Sequence, residues 1–202
     1  MKINDSGRSM IEMLGVLAIS GILSVGGIKG FNNAMTGHKL NKLSEEHSVF
    51  LQNIHQDTIK LCKTNTTGSY QSISKYLNAL DIIPAKWKYN KYTGEIYDSI
   101  GFKIAAYTAN STTIAINYSI PKDVKEKEQI CRKIWTSTLV PLAGIFYQIR
   151  MLSGGVVTIR TYGENYCNEK NQDCISKLTI SNIKDICQSC GNQWCYIDIY
   201  IK

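Results

Sequence analysis

A long apolar segment near the start of the chain dominates its hydrophobic pattern. Between Met10 and Ile28 the one charged residue is Glu12, and the run from Met13 to Ile28 contains none. A helix needs roughly 20 apolar residues to cross a bilayer, so this segment predicts a membrane-spanning helix. Because a carboxylate within such a helix is costly unless it is paired, the pattern marks Glu12 as a candidate functional residue.

The pattern becomes amphipathic after Phe31. Apolar residues and one histidine recur at spacings of three, four and seven, which places them on one face of a helix: Leu40, Leu43, His47, Phe50, Ile54 and Leu61. We therefore expect a single helix from about Ser9 to Cys62, with its second half packed on a globular domain. His38, His47 and His55 fall on this helix and are expected to be exposed or packed side chains, since no other ligand type joins them at metal-site spacing.

Residues 63–202 predict an α+β head with an antiparallel sheet. Strands are expected over 100–107, 112–120, 155–162 and 194–201, with a hairpin turn at Asn110 and Ser111. Short helices are expected over 123–135 and over 70–80, the latter with Ile73, Tyr76, Leu77 and Leu80 on one side. A strand and a short helix are expected over 177–187, whereas 137–150 gives no firm prediction. The fold class is therefore α+β, with one long N-terminal helix packed on the head.

The composition narrows the range of functions. The chain of 202 residues has a formal net charge of +7 and a pI near 9.0. Its basic residues are spread along the chain, which indicates a solvated surface, and no specific nucleic-acid partner is expected. The sequence contains no nucleotide-binding loop, no metalloprotease motif and no serine-hydrolase elbow. We therefore expect a protein that is not an enzyme and that needs no cofactor.

The string Gly7-Arg8-Ser9-Met10-Ile11-Glu12-Met13-Leu14 resembles the class III signal of type IV prepilins and related pseudopilins. In that family a membrane peptidase cleaves after the glycine and methylates the new amino terminus. The resemblance implies a leader of residues 1–7, cleavage between Gly7 and Arg8, and N-methylation of Arg8. It also implies an assembly role for Glu12, the fifth mature residue, whose carboxylate would neutralise the terminal ammonium of a neighbouring subunit. An ordinary signal anchor would explain the apolar run but not the spacing from Gly7 to Glu12.

The segment departs from the family pattern in two respects. Arg8 replaces the usual apolar first residue, and no proline occurs where many pilin helices carry one. Glycines occur instead at positions 15, 21, 26, 27 and 30. They predict a soft, partly unwound segment or close packing between helices through small residues, and the two interpretations are compatible.

The order of elements after the long helix resembles the type IVb pilin family, which includes conjugative-plasmid thin pili. That order is a helix, the segment Leu80–Pro84, a glycine-bearing turn, two strands, Ile120-Pro121, and Cys131 in a helix. It implies a transmembrane and polymerisation helix over 8–31, an amphipathic continuation over 32–62, and a head over 63–202.

The resemblance also implies partners and a location. The partners would be other copies of the chain, a prepilin peptidase, an assembly platform and the bacterial inner membrane itself. The precursor would sit in that membrane with its head in the periplasm, and the mature subunit in an adhesive pilus at the cell surface. A type II secretion pseudopilin and a minor DNA-binding uptake pilin are the alternatives left open.

Seven cysteines follow the apolar run: Cys62, Cys131, Cys167, Cys174, Cys187, Cys190 and Cys195. In the oxidising compartment that the resemblance implies, they predict disulfides. We expect Cys62–Cys131 to tie the long helix to the helix after the strands, and Cys167–Cys174 to close a polar loop; the pairing among the last three stays open. A four-thiolate zinc site built from Cys167, Cys174, Cys187 and Cys190 is the alternative.

Overall fold

The computed structural model describes residues 6–65, 68–168, 173–191 and 193–202. Within the first helix, side chains are described for residues 13–18 and from residue 27 onward. The chain divides into two compact units, residues 1–40 and 41–202, and helix α1, Ser6–Cys62, contributes to both. Its bounds confirm the predicted long helix. The backbone is helical at each of the glycines named above, so the partly unwound segment is not found between Ser6 and Cys62.

The second unit contains an eight-stranded antiparallel sheet. Its strands are β1 (Gln71–Ser72), β2 (Lys88–Tyr89), β3 (Ile96–Tyr97), β4 (Lys103–Asn110), β5 (Thr113–Ile120), β6 (Phe146–Ser153), β7 (Val156–Tyr162) and β8 (Cys195–Ile201). The spatial order is β2-β3-β4-β5-β8-β6-β7, and β1 pairs with β4. The last strand in sequence therefore lies between β5 and β6, inside the sheet.

Three shorter helices complete the second unit: α2 (Ser74–Ala79), α3 (Lys127–Ile134) and α4 (Ile180–Gln188). A π-helical turn, Trp135–Leu139, continues α3, and single 3-10 turns occur at Ala143–Ile145 and Ile175–Lys177. Helix α3 packs against α4. The sheet and α3 confirm the α+β class predicted for the head.

The apolar stripe of α1 forms part of the core. All six residues of the predicted stripe are buried. In the part of α1 that belongs to the second unit, Phe50 contacts Trp87 with ring centroids 4.7 Å apart, and His47 meets Tyr118 of β5 at 4.7 Å. Residues 41–62 thus pack on the sheet, as the periodicity predicts, because their buried side chains recur on one helical face.

Local backbone chemistry explains where the other predictions succeed and fail. The hairpin between β4 and β5 and the final strand are confirmed within a few residues. The helix expected over 70–80 is shorter, because residues 71–72 pair with β4 and Asp81 adopts a positive φ of 51° just beyond the helix. Tyr76 and Leu80, expected on the same side as Ile73 and Leu77, are exposed.

The segment over 177–187 also differs from its prediction. It holds a 3-10 turn and α4 but no strand. Thr179 starts α4 through a capping box, in which its hydroxyl accepts from the Asn182 N–H and the Asn182 side chain accepts from the Thr179 N–H. These two bonds satisfy the backbone N–H groups of Thr179 and Asn182, which are therefore not available for pairing in a strand.

Candidate functional site

Gly7, Arg8 and Glu12 lie in the first two turns of α1, Ser6–Cys62. Their side chains fall outside the described residues, as do residues 1–5 of the expected leader. Cleavage after Gly7, methylation of Arg8 and pairing of Glu12 therefore stay predictions. So does the membrane span, because most of the run from Met10 to Ile28 lies among side chains that are not described.

The described large apolar side chains of the first unit that precede Leu40 are open to solvent. Met13 and Leu14 are 68% and 65% exposed, and Ile28 and Phe31 are 62% and 65% exposed. Among the described helical residues, no stretch is both long enough and apolar enough to span a membrane. Clusters of exposed large apolar side chains, such as Met13, Leu14, Val16 and Leu17, are typical of interaction surfaces.

A buried polar cluster connects α1 to the sheet in the second unit. Asp98, in the turn before β4, accepts hydrogen bonds through Oδ1 from the backbone N–H groups of Phe102 (2.7 Å) and Ile100 (3.1 Å). Its Oδ2 accepts from the Tyr118 hydroxyl at 2.8 Å and lies 3.4 Å from His47 Nε2. Burial and the neighbouring Asp98 carboxylate raise the pKa of Tyr118 well above its usual range. The cluster fixes the rotation of α1 on the sheet, because a buried carboxylate requires its donors.

Two further polar contacts fix α1 to the rest of the second unit. The buried hydroxyls of Ser44 and Thr138 lie 2.8 Å apart, and the Thr138 hydroxyl also donates to the Ser44 carbonyl at 3.1 Å. Trp87 Nε1 donates to Glu46 Oε2 at 3.0 Å. His47 is thus a packed side chain, one of the two outcomes expected from the sequence, but no sequence pattern indicates its partner Asp98.

All seven cysteines lie in the described ranges, and six of them form disulfides. The pairs are Cys131–Cys187, Cys167–Cys174 and Cys190–Cys195. The predicted Cys167–Cys174 pair is confirmed. The four-thiolate zinc site is contradicted, because every one of its cysteines is in a disulfide.

The predicted Cys62–Cys131 pair is wrong. Helix α3 packs against α4, which brings Cys131 and Cys187 within 5.7 Å between Cα atoms. Cys62 stays a buried free thiol at the end of α1, and burial raises its pKa. A raised pKa lowers the thiolate fraction, so this cysteine is poorly reactive.

The sheet face opposite α1, called the outer face below, carries polar and aromatic side chains. Side chains alternate along a strand, so residues 115 and 117 point away from Tyr118 and therefore away from α1. Strand register places Asn117 opposite Asp198, Asp198 opposite Arg150, and Arg150 opposite Arg160. A second row contains Tyr107, Ala115 and Tyr200.

Comparison of the sequence with protein families, with characterised proteins and with solved structures finds no match. A long N-terminal helix followed by an antiparallel head is nevertheless consistent with a pilin-like architecture.

Proposed function

We propose that the chain is a prepilin-like structural subunit that polymerises into an adhesive filament through α1. The observation that carries the proposal is the string Gly7–Leu14 at the start of a 57-residue helix that leads into a disulfide-bonded antiparallel head. In this proposal a peptidase removes residues 1–7 and methylates Arg8. The subunit then leaves the bacterial inner membrane for the filament with the help of an assembly platform.

The exposed apolar side chains of the first unit support polymerisation. Exposure of Met13, Leu14 and Phe31 to water is unfavourable for an isolated chain, and it is explained if these side chains contact other molecules. In the precursor they would face lipid, and in the filament they would face the helices of neighbouring subunits. Both environments remove the same apolar surface from water.

Glu12 gives the assembly its register in this proposal. A carboxylate in an apolar filament core is tolerated when it is paired with a charge of opposite sign. Cleavage after Gly7 creates such a charge, the terminal ammonium of Arg8, at a fixed distance from the apolar run. Each subunit would then supply the acid for one neighbour and the amine for another.

The head-side contacts of α1 suit a subunit that carries mechanical load. A pull on the helix would be transmitted to the sheet through the buried Asp98 cluster and the Ser44–Thr138 bonds. Three disulfides would keep the head closed under that load.

Intact-mass analysis of the chain, coexpressed with a prepilin peptidase, tests the proposal. The mature chain should begin at Arg8 and carry one added methyl group. Gly7→Leu should block cleavage, whereas the matched control Gly15→Leu, at a position with open space around its Cβ, should be cleaved normally. A mature chain that begins at Met1 or beyond Ser20 would contradict the proposal. Recovery of the chain in sheared surface filaments then separates a pilus subunit from a secretion pseudopilin.

A further inference from the structure

The outer face of the sheet contains a cleft of about 400 Å³. Its floor is formed by Ala105 and Ala115, whose small side chains leave a depression between larger neighbours. Its walls are formed by Tyr70, Tyr107, Asn117, Arg150, Asp198 and Tyr200. A cleft of this size is within the range of small-molecule sites, which combine apolar surface with a few convergent polar groups.

Arg150 lines this cleft, and one of its hydrogen-bond donors has no partner among the described residues. Its side chain is only 25% exposed, and its Nε is buried without a partner among the described residues. The nearest carboxylate oxygen, Asp198 Oδ2, lies 3.8 Å from Nη2, which is beyond hydrogen-bond distance. The guanidinium instead stacks on the Tyr200 ring, 4.4 Å from its centroid. A guanidinium has five N–H donors in a fixed fork. Arg150 is held in place by the Tyr200 ring and by its ion pair with Asp198, but it makes no hydrogen bond to that carboxylate.

The charges around the cleft favour an anion. The Asp198 carboxylate is already engaged by Asn117 Nδ2 at 2.6 Å. Arg160 is the cross-strand neighbour of Arg150 and is exposed. This row of the outer face therefore carries two arginines and one aspartate on three successive strands. A planar carboxylate matches the fork of Arg150 better than a spherical ion does.

The tyrosines around the same cleft offer flat apolar faces. Tyr70 and Tyr107 meet edge to face with centroids 6.4 Å apart, and Tyr70 is largely exposed. Ring faces of this kind pack against the C–H face of a sugar, while their hydroxyls bond its hydroxyl groups. An inorganic anion has no C–H face that could pack against these tyrosine rings.

We propose that this cleft binds a carboxylate-bearing saccharide, with the carboxylate on Arg150, sugar hydroxyls on Asn117 and Asp198, and the ring against Tyr70 and Tyr107. The binding does not require a filament. If the chain binds the saccharide but never polymerises, that result would contradict the proposed function but not the proposed binding site.

Saturation-transfer NMR and calorimetry on the full-length chain in detergent micelles test the site. The probes are 3′-sialyllactose, which carries a carboxylate, and lactose, which does not. We expect sialyllactose to bind and lactose to bind at least ~10-fold more weakly, since a hydrogen-bonded charge contributes that much. Equal binding of both sugars, or binding of neither, would overturn the proposal. So would displacement of sialyllactose by sodium sulfate at equal concentration and constant ionic strength, because that result indicates a simple anion site.

Substitutions locate the binding in the cleft. Arg150→Gln should weaken sialyllactose binding by ~10-fold or more, whereas Arg132→Gln on α3, an equally conservative change at an exposed arginine, should not alter it. Tyr70→Ala changes an exposed side chain that the fold does not need, and it should weaken binding by ~3- to 10-fold. Equal loss in the Arg150 and Arg132 variants would refute the site, and thermal melts of each variant exclude unfolding as the cause.

Discussion

Removal of the Cys131–Cys187 disulfide should destabilise the head about twice as much as removal of Cys190–Cys195. The first bridge spans 56 residues of sequence and the second spans 5. The loss of loop-closure entropy in the unfolded chain then predicts a stabilisation of about 4 kcal/mol for the long loop and about 2 kcal/mol for the short one. All four sulfur-bearing residues are buried, so replacement by alanine removes similar apolar surface in both cases and the loop length remains as the difference.

The comparison requires two double variants, Cys131→Ala/Cys187→Ala and Cys190→Ala/Cys195→Ala. Guanidinium unfolding of the full-length chain in detergent can be followed by the fluorescence of Trp87 and Trp135, which are both buried. Peptide mapping without reductant establishes beforehand that the remaining bridges are intact. Equal losses of unfolding free energy, or a larger loss for the short loop, would refute the entropic reasoning. A map that lacks the Cys131–Cys187 peptide would refute the pairing itself.

Four further outcomes are expected. Tyr118→Phe should lower the unfolding free energy by about 1.5–3 kcal/mol because the buried Asp98 loses a donor. Tyr97→Phe, at a half-buried Glu95 contact, should lower it by less, about 0.5–1 kcal/mol; equal effects would contradict a special role for the cluster. The raised pKa of Tyr118 means that the folded chain holds the hydroxyl proton more tightly than the unfolded chain does. The resulting contribution to the unfolding free energy is present below the ordinary tyrosine pKa of about 10. Stability should fall as the pH rises above that value, and a Tyr118→Phe chain with the same alkaline decline would exclude this cause. Gly163→Ala should prevent folding, since a Cβ at this position would lie against the Phe146 carbonyl, whereas Gly144→Ala meets open space and should fold. Circular dichroism spectra show whether each variant is folded, and a folded Gly163 variant would show that the backbone can move. The Glu12→Ala chain should insert into membranes normally but yield few filaments, because the buried amine of a neighbouring subunit would lose its partner at a cost of about 3–5 kcal/mol. A wild-type yield of filaments on electron micrographs would exclude the pairing.

The features that the sequence predicts are those whose interactions are local. The long helix follows from the recurrence of Leu43, Phe50 and Ile54, and the β4–β5 hairpin follows from two alternating strands joined at Asn110. Both depend on residues within a few turns or a few positions of each other. The same holds for Cys167 and Cys174, which are only seven positions apart.

The features that the sequence does not predict depend on distant segments. Cys131 pairs with Cys187 because α3 and α4 pack together, and no pattern along the chain specifies that contact. Arg150 and Asp198 are neighbours because β8 inserts beside β6, although 48 positions separate them in the sequence numbering. The alternation of Tyr196, Asp198 and Tyr200 with isoleucines predicts that the three share one face of a strand, but not which strands lie on either side.

The interior position of β8 sets a condition on the order in which the head can form. Until residues 195–201 are in place, β5 and β6 have no common neighbour, and each presents an unpaired edge. Unpaired edges recruit foreign strands and attract proteases. A chain in which β8 has not yet paired would therefore be a substrate for degradation or aggregation. If the chain is the filament subunit proposed above, insertion of β8 would be the step after which it becomes competent to join other subunits.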